Sequence, residues 1–340
     1  MNENETGPNL FAFAPSELSQ DAVLSWLLSW SDPKFQSLNR ELHEAGRKLL
    51  AFIFRRHRLR CPVASSVTVH RQVDHADLIA EVGDKYLVLI EDKTKTNHHG
   101  DQLRRYLRSM KKRYPSRKIL AVFLKTEDQC EFTDIESCGY CICNRADVLS
   151  CIWPSRDTPI GNDVLRDWAE YLDSKERSVR AFKHKPVAEW NETQWTGFYQ
   201  ELRHHFPDLG WNKVPNAAGG FVGAWWGWRT VGRDKLYLQI DGNDLCIRVD
   251  AGDAPNRPAV RECWHNYFTT LDGKRQTFKL QRPARFGNGK TMAVAVVPRN
   301  EWLLVNAEGK LEIHKTLQSL RSATKLLQRA CRVGEDRPAR

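Results

Sequence analysis

Residues Ile90–Tyr106 read IEDKTKTNHHGDQLRRY and place an acid, an amine, an amide and a phenol within one short stretch. Glu91 and Lys93 stand two residues apart at the end of an apolar run; Gln102 and Tyr106 stand four apart just beyond it. Side chains alternate along a strand, so Leu89, Glu91 and Lys93 share one face while Ile90 and Asp92 share the other. That spacing puts a carboxylate and an ammonium about 7 Å apart on one side. Upstream, ADLIAEVGDK supplies a partner strand. A three-residue loop, Gly83-Asp84-Lys85, pairs Val82 with Tyr86 and sets Asp77 opposite Glu91. A strict two-residue turn would pair Asp77 with Ile90 and turn it to the wrong face. The three-residue register, or a bulge, is therefore the one that makes a site.

Two converging carboxylates offer hard oxygen ligands but incomplete coordination, which suits Mg²⁺ with retained waters, and Mn²⁺ as the alternative. Such an ion acidifies water and stabilises charge on a phosphoryl oxygen. The lysine can polarise or deprotonate an attacking water, or neutralise a pentacovalent transition state. On its own, D…E-x-K is a weak pattern that also describes a surface salt-bridge face. The next segment adds to it. At helical spacing Leu103, Tyr106, Leu107 and Met110 form an apolar stripe with Gln102 at its edge. Arg104, Arg105, Arg108, Lys111 and Lys112 occupy the other side, and no acid occurs from Arg104 to Lys118. Most charge runs are solvated faces. One that directly follows a metal-type site can hold a phosphate backbone against it.

The elements that must position these residues are readable from periodicity. Ser16 caps a helix carrying Val23, Leu24, Leu27 and Leu28, and a second helix runs from Leu38 to Phe54. Strands follow at SSVTVHR, ADLIAEV and KYLVLIEDK, then a helix from Asp101 to Tyr114 closed by Pro115, then strands KILAVFLK and YCICN and a helix in RADVLSCIW. This order suits an α/β sandwich around a central sheet. The turn-rich WPSRDTPIGN ends a first domain over residues 1–155, residues 156–185 form a connecting helix, and residues 186–340 form a second, α+β unit. That unit shows a helix in AEWNETQWTGFYQEL, the strand-like GGFVGAWWGWR, a hairpin in KLYLQIDGNDLCIRVD, a helix around Arg261–Thr270, two more strands and a terminal helix. No repeat or low-complexity segment is visible.

Bulk properties limit the function classes. The 340 residues include twelve tryptophans, against disorder, and carry a net charge of +10, which favours an acidic partner such as nucleic acid. The beginning is polar and acidic and lacks the pattern of a secretory signal. No apolar run reaches the roughly 18 residues of a membrane span. Nine unevenly spread cysteines fit reduced thiols, so the expected location is the cytoplasm. Cys130, Cys138, Cys141, Cys143 and Cys151 raise a zinc or iron–sulfur site. Their spacing gives no paired knuckles, and core cysteines are the expected reading.

The DLI at Asp77, the IEDK at Glu91–Lys93 and the QLRRY at Gln102–Tyr106 together resemble the PD-(D/E)XK nuclease superfamily, the last element being similar to its RecB-like branch with a QxxxY motif. The helix ELSQDAVLSWLL resembles the first helix of bacterial members that carry an acid there. The resemblance covers about the first 150 residues and implies a restriction-endonuclease-like α/β/α core with a mixed central sheet. It further implies Asp77 and Glu91 as Mg²⁺ ligands, the Asp92 carbonyl as an additional ligand, Glu17 as an accessory acid, and Lys93 as the residue assisting the water. Gln102 and Tyr106 would shape the site and the DNA path. Ala76 stands where the motif's name has proline, and Gln20-Asp21 stand where relatives often have His-Ser. The cysteine cluster is similar in kind, not in spacing, to that of iron–sulfur members.

Elsewhere, Trp225, Trp226 and Trp228 read as strand and core aromatics in preference to a base-stacking platform. Lys315, Arg321, Lys325, Arg329, Arg332, Arg337 and Arg340 leave the terminal helix and tail basic, as a DNA contact or a solvated end. The expectation is a Mg²⁺-dependent nuclease, with DNA favoured as substrate and a role in restriction or anti-phage defence. The second unit would select substrate, sense a trigger or pair subunits. The rivals are a non-catalytic nucleic-acid-binding protein on the same fold, an RNA nuclease, and a protein–protein adaptor.

Overall fold

The computed structural model describes residues 7–94, 101–215, 219–273, 277–284 and 289–334. The chain forms two compact units, Met1–Arg177 and Ser178–Arg340.

The first unit contains α1 (Leu10–Phe13), α2 (Glu17–Ser29), α3 (Arg40–Arg56), β1 (Val67–Val73), β2 (Ala76–Val82), β3 (Tyr86–Lys93), α4 (Gln102–Arg113), β4 (Lys118–Lys125), α5 (Thr133–Ser137), β5 (Cys141–Asn144), α6 (Arg145–Ile152) and α7 (Asp163–Arg180), whose last residues enter the second unit. Its strands lie in the order β1-β2-β3-β4-β5. The first three are antiparallel, and β3, β4 and β5 are parallel. Parallel strands are buried on both faces, hence the nearly unbroken apolar runs of β3 and β4. Val88, Ile90, Leu120, Val122 and Leu124 point to the side of α2, α3, α6 and α7. Leu87, Leu89, Ala121 and Phe123 point to the side of α4 and α5. The result is a mixed α/β unit with helices on both faces of a five-stranded sheet, consistent with a restriction-endonuclease-like fold.

The register that builds the site comes from the loop after β2. Val82 pairs with Tyr86 and Leu78 with Ile90, so Asp77 falls beside Glu91 at the next step. Gly83 turns the chain with φ +53, a value glycine adopts at little cost. On the preceding hairpin the left-handed turn residues are Asp74 and His75. These are the residue types that best tolerate such angles after glycine.

α2 starts where the Ser16 hydroxyl accepts from Ser19 N at 3.2 Å. It then crosses α3 closely: a Cβ on Gly46 would collide with the Leu27 carbonyl and lie 3.0 Å from Ser31 N. Both obstacles are backbone and cannot rotate away. Gly46→Ala is therefore expected to destabilise the fold by about 1–3 kcal/mol despite its better helix propensity. Chemical denaturation of the two proteins checks this.

The second unit contains α8 (Glu192–His205), β6 (Gly210–Val214), β7 (Phe221–Val231), β8 (Asp234–Asp241), β9 (Asp244–Asp250), α9 (Arg257–Gly273), β10 (Thr291–Val297), α10 (Arg299–Trp302) and α11 (Ile313–Gly334). Its sheet is antiparallel in the order β10-β9-β8-β7-β6. The sequence pattern anticipates two strands after α9. Among the described residues there is one, β10, with an isolated bridge from Gln281 to Val296 beside it. α9 begins at Arg257, and β6 carries too little apolar character to be read as a strand. Lys315, Arg321, Lys325 and Arg329 lie on α11; Arg337 and Arg340 are outside the described residues.

Candidate active site

Lys93 is the centre of the polar cluster at the ends of β2 and β3. Its Nζ lies 2.9 Å from Glu91 Oε1, 3.4 Å from Asp77 Oδ2 and 3.6 Å from Glu17 Oε2, and donates to the Asp92 carbonyl at 2.8 Å. Four oxygens from three elements thus surround one ammonium. Glu91 and Lys93 are 1% and 8% exposed, so their charges interact with little solvent screening. Burial opposes the Lys93 charge, but Glu91, Asp77 and Glu17 outweigh it and hold the pKa above the usual lysine range. Burial, followed by the neighbouring Asp77 charge, pushes the Glu91 carboxyl up to about 7.

Each carboxylate is placed by a bond of its own. Asp77 Oδ2 accepts from the Asp92 backbone N–H at 2.9 Å, tying β2 to β3 at the site. Glu17, the first residue of α2, accepts from Thr94 N at 3.1 Å, and its position in the first turn suits the helix dipole. Gln102, the first residue of α4, donates from Nε2 to Glu91 Oε1 at 2.8 Å and lies 3.0 Å from the Tyr106 hydroxyl. The four-residue spacing puts amide and phenol on one helix face. Glu17, Asp77, Glu91, Lys93, Gln102 and Tyr106 are thereby brought into one constellation with the Asp92 carbonyl. The Asp92 side chain is not part of it and points to the α2 side of the sheet.

There the structure gives a place to Gln20 and Asp21, noted in the sequence only as a departure from relatives, and to Thr126, which the sequence did not mark. Gln20 Nε2 donates to Asp92 Oδ1 at 2.5 Å, while Thr126 Oγ1 donates to Gln20 Oε1 at 2.8 Å. Asp21 is buried beside them. Burial and then Asp77 raise its pKa to about 6, and burial and then Asp21 hold Asp92 well above the usual carboxylate range. Gln20 and Asp21 follow Glu17 by three and four residues, one helical turn along the same face, which is the signal that could have found them. Lys125 of β4, the register neighbour of Lys93, is 2% exposed, and burial lowers its pKa.

The donor set fits a divalent ion. Among the described residues no three His, Cys, Asp or Glu side chains form a ready-made metal site. Yet the oxygens around Lys93 Nζ are of the hard type that Mg²⁺ takes, and buried Glu91 Oε2 has no hydrogen-bond partner among the described residues. An acceptor left without a donor costs free energy that a cation would recover.

Residues 66–197 match the model of the PD-(D/E)XK nuclease superfamily. This stretch is similar to that superfamily. The match contains β1 to β5 and with them Asp77, Glu91, Lys93, Gln102 and Tyr106. The PD-(D/E)XK match suggests a nuclease, a nucleic-acid substrate and use of a divalent metal. No curated protein and no solved structure matches the chain.

The remaining predicted residues are placed as follows. Arg104, Arg105, Arg108, Lys111 and Lys112 are exposed on α4. Asp101 holds Arg108 at 3.0 Å and lies 3.8 Å from Arg104, so two of the five cations have an acidic neighbour. Cys143 and Cys151 are buried in the core on the α2 side, with Cys141 packed against it, and Cys138 packs on the α4 side. No described helix is long and apolar enough to cross a membrane.

Proposed function

We propose that the first unit is a metal-dependent nuclease hydrolysing phosphodiester bonds, with DNA as its substrate and Mg²⁺, or Mn²⁺, as its ion. The observation that carries this reading is the convergence of Asp77, Glu91 and the Asp92 carbonyl around one cationic centre, with Lys93 beside them. Asp77, Glu91 and the Asp92 carbonyl would hold the ion, with Glu17 as accessory acid. When bound, it supplies positive charge at the scissile phosphate and acidifies water. Lys93 orients the attacking water or neutralises charge gained at phosphorus. Gln102 fixes the Glu91 carboxylate and Tyr106 in turn fixes Gln102, the role expected of a RecB-like QxxxY element. Arg104, Arg105, Arg108, Lys111 and Lys112 bind the phosphate backbone along α4. The boundaries 1–155, 156–185 and 186–340 remain our division of labour: cleavage, connection, and substrate selection, sensing or subunit pairing. Restriction or defence, in the cytoplasm, is the biological setting we favour by analogy.

Gln102→Ala is expected to lower kcat about tenfold while leaving backbone binding intact, because Glu91 keeps its bond to Lys93 but loses its second anchor. Steady-state cleavage checks it.

The reading as a whole is tested by incubating the protein with linear, circular and single-stranded DNA and with RNA, in Mg²⁺, Mn²⁺ or chelator. Ion-dependent DNA cleavage supports it. Preferential RNA cleavage replaces DNA by RNA, and binding without cleavage in either ion leaves a nucleic-acid-binding module on a nuclease fold.

A further inference from the structure

The terminal helix of the second unit, α11, carries a charged surface that the nuclease reading does not use. Its sequence, IHKTLQSLRSATKLLQRACRVG, contains no Asp, Glu, Phe, Tyr or Trp. One face is fixed inside the unit. Leu317, Leu320, Ala323, Leu327 and Ala330 are buried, and Thr324 accepts from the Trp226 indole at 3.0 Å. The opposite face presents His314, Gln318, Arg321, Ser322, Lys325 and Arg329, with Ser322 and Arg329 half-buried and the rest exposed. Residues three and four apart are neighbours on a helix surface, so these side chains run as one stripe. Within it Arg321, Lys325 and Arg329 follow one another at four-residue steps, about 6 Å each along the axis.

Like charges four apart destabilise a helix. Elsewhere in this unit cations sit against acids: Lys213 with Glu192, Arg248 with Asp241, Arg282 with Glu262, Lys310 with Glu308, and Lys315 with Glu312 just before α11. Among the described residues Arg321 and Lys325 have no acidic partner, and Arg329 donates to the Lys325 carbonyl at 3.3 Å. The helix dipole favours cations in the last turn only, and Arg321 and Lys325 lie more than two turns before Gly334. A row of cations held against its own repulsion, with no acid to offset it, fits a polyanion. The apolar face of α11 is covered within the unit, so the helix has none to insert into a lipid surface. Binders of single strands stack bases on aromatic rings, and this stripe has none. Trp226 and its register partner Leu238 face α11, so Tyr237 faces the other side of the sheet. Trp228, 41% exposed, stacks on Tyr237 with ring centroids 4.0 Å apart, the strand's alternation being broken by the register shift between Trp226 and Arg229. The expectation of core aromatics thus holds for Trp226 and fails for Trp228. Cations without rings suit a paired backbone, which carries one charge per about 1.7 Å of duplex axis.

We propose that the exposed stripe of α11 binds the phosphate backbone of double-stranded DNA without regard to sequence, through Arg321, Lys325 and Arg329. This gives the second unit a part in holding substrate, and it rests on the nuclease reading only in taking that duplex as the substrate.

The test uses the full chain in chelator, so that no cleavage intervenes. Fluorescence anisotropy follows binding to two short DNA duplexes of unrelated sequence and to one of their single strands over a range of salt, and cosedimentation follows binding to phosphatidylserine–phosphatidylcholine vesicles. The triple variant Arg321→Gln, Lys325→Gln, Arg329→Gln is expected to bind both duplexes about tenfold or more weakly at moderate salt, and to flatten the slope of log affinity against log salt by roughly two to three. Lys325→Gln alone should flatten it by about 0.9, and keeps the test valid if the triple variant does not fold. Glutamine is a comparable helix former and relieves the like-charge repulsion, so the melting temperature should match or exceed that of the wild type. No duplex binding by the wild type, an unchanged salt slope in the folded variants, a loss confined to one duplex, a larger loss for the single strand, or a loss for vesicles alone overturns the proposal. Duplex binding that depends on α11 while neither ion supports cleavage removes the nuclease reading and leaves this surface standing. Ion-dependent cleavage with an unchanged salt slope in the variants removes this surface alone.

Discussion

Lys93→Met is expected to abolish cleavage without abolishing binding. The substitution keeps the apolar stem and removes the ammonium that touches Glu91, Asp77 and the Asp92 carbonyl. Single-turnover cleavage should fall by roughly 10²–10⁴-fold, the range for losing a group that moves or stabilises a proton in the transition state. Binding to nucleic acid in chelator should persist, because the basic face of α4 is untouched. Ion affinity should hold or rise. Lys93 Nζ lies among the oxygens proposed as ligands, so wild-type protein must part carboxylates from an internal cation before they can accept an external one. The metal-free variant should melt earlier at alkaline pH, with Glu17, Asp77 and Glu91 left facing each other, and Mg²⁺ should restore it. Cleavage within tenfold of wild type would remove Lys93 from the chemistry.

Asp77→Asn should lose both cleavage and stabilisation by the ion. Asparagine keeps an oxygen for the Asp92 N–H, so the β2–β3 junction survives while a ligand charge disappears. Cleavage is expected to fall about 10³-fold, several kcal/mol at ~1.4 kcal/mol per factor of ten. An ion present at about 100 times its Kd stabilises the wild type by roughly 2.7 kcal/mol, and this increment should largely vanish in the variant. Both effects depend on pH through Glu91, whose folded pKa of about 7 exceeds its ordinary 4.5. The unfolded chain releases this proton first, so the group costs stability as pH rises through that window. Ion binding must expel the same proton and therefore strengthens up to about pH 7, then levels off. Thermal melts with and without Mg²⁺ between pH 5.5 and 8.5, spanning the roughly one-unit flanks of the titration, read both trends.

The part of this site that could be read in advance is the part encoded locally. Strand alternation puts Glu91 and Lys93 together, helical spacing puts Gln102 and Tyr106 together, and the Gly83 loop sets the register of Asp77. Gln20 and Asp21 escape such a reading because their partner Asp92 is more than seventy residues away, a contact made only once α2 packs on the sheet. Lys125 closes the apolar run KILAVFLK without any local mark of its role; its burial follows from lying next to Lys93 in a parallel pair. Trp228 could not be separated from Trp226 by pattern, because the irregularity around Gly227 inserts a break that strict alternation does not anticipate. β6 was hidden for a simpler reason: GWNKV is paired on one side only, at an edge of the sheet, and needs little apolar surface.

Manganese soaked into crystals of the protein and located by its anomalous scattering tests the central geometry most directly. The account predicts a peak between Asp77 and Glu91, against the Asp92 carbonyl, with Lys93 Nζ displaced from its present position but still beside the ion. A peak elsewhere, or an ammonium still gripping all four oxygens at saturating manganese, would contradict it.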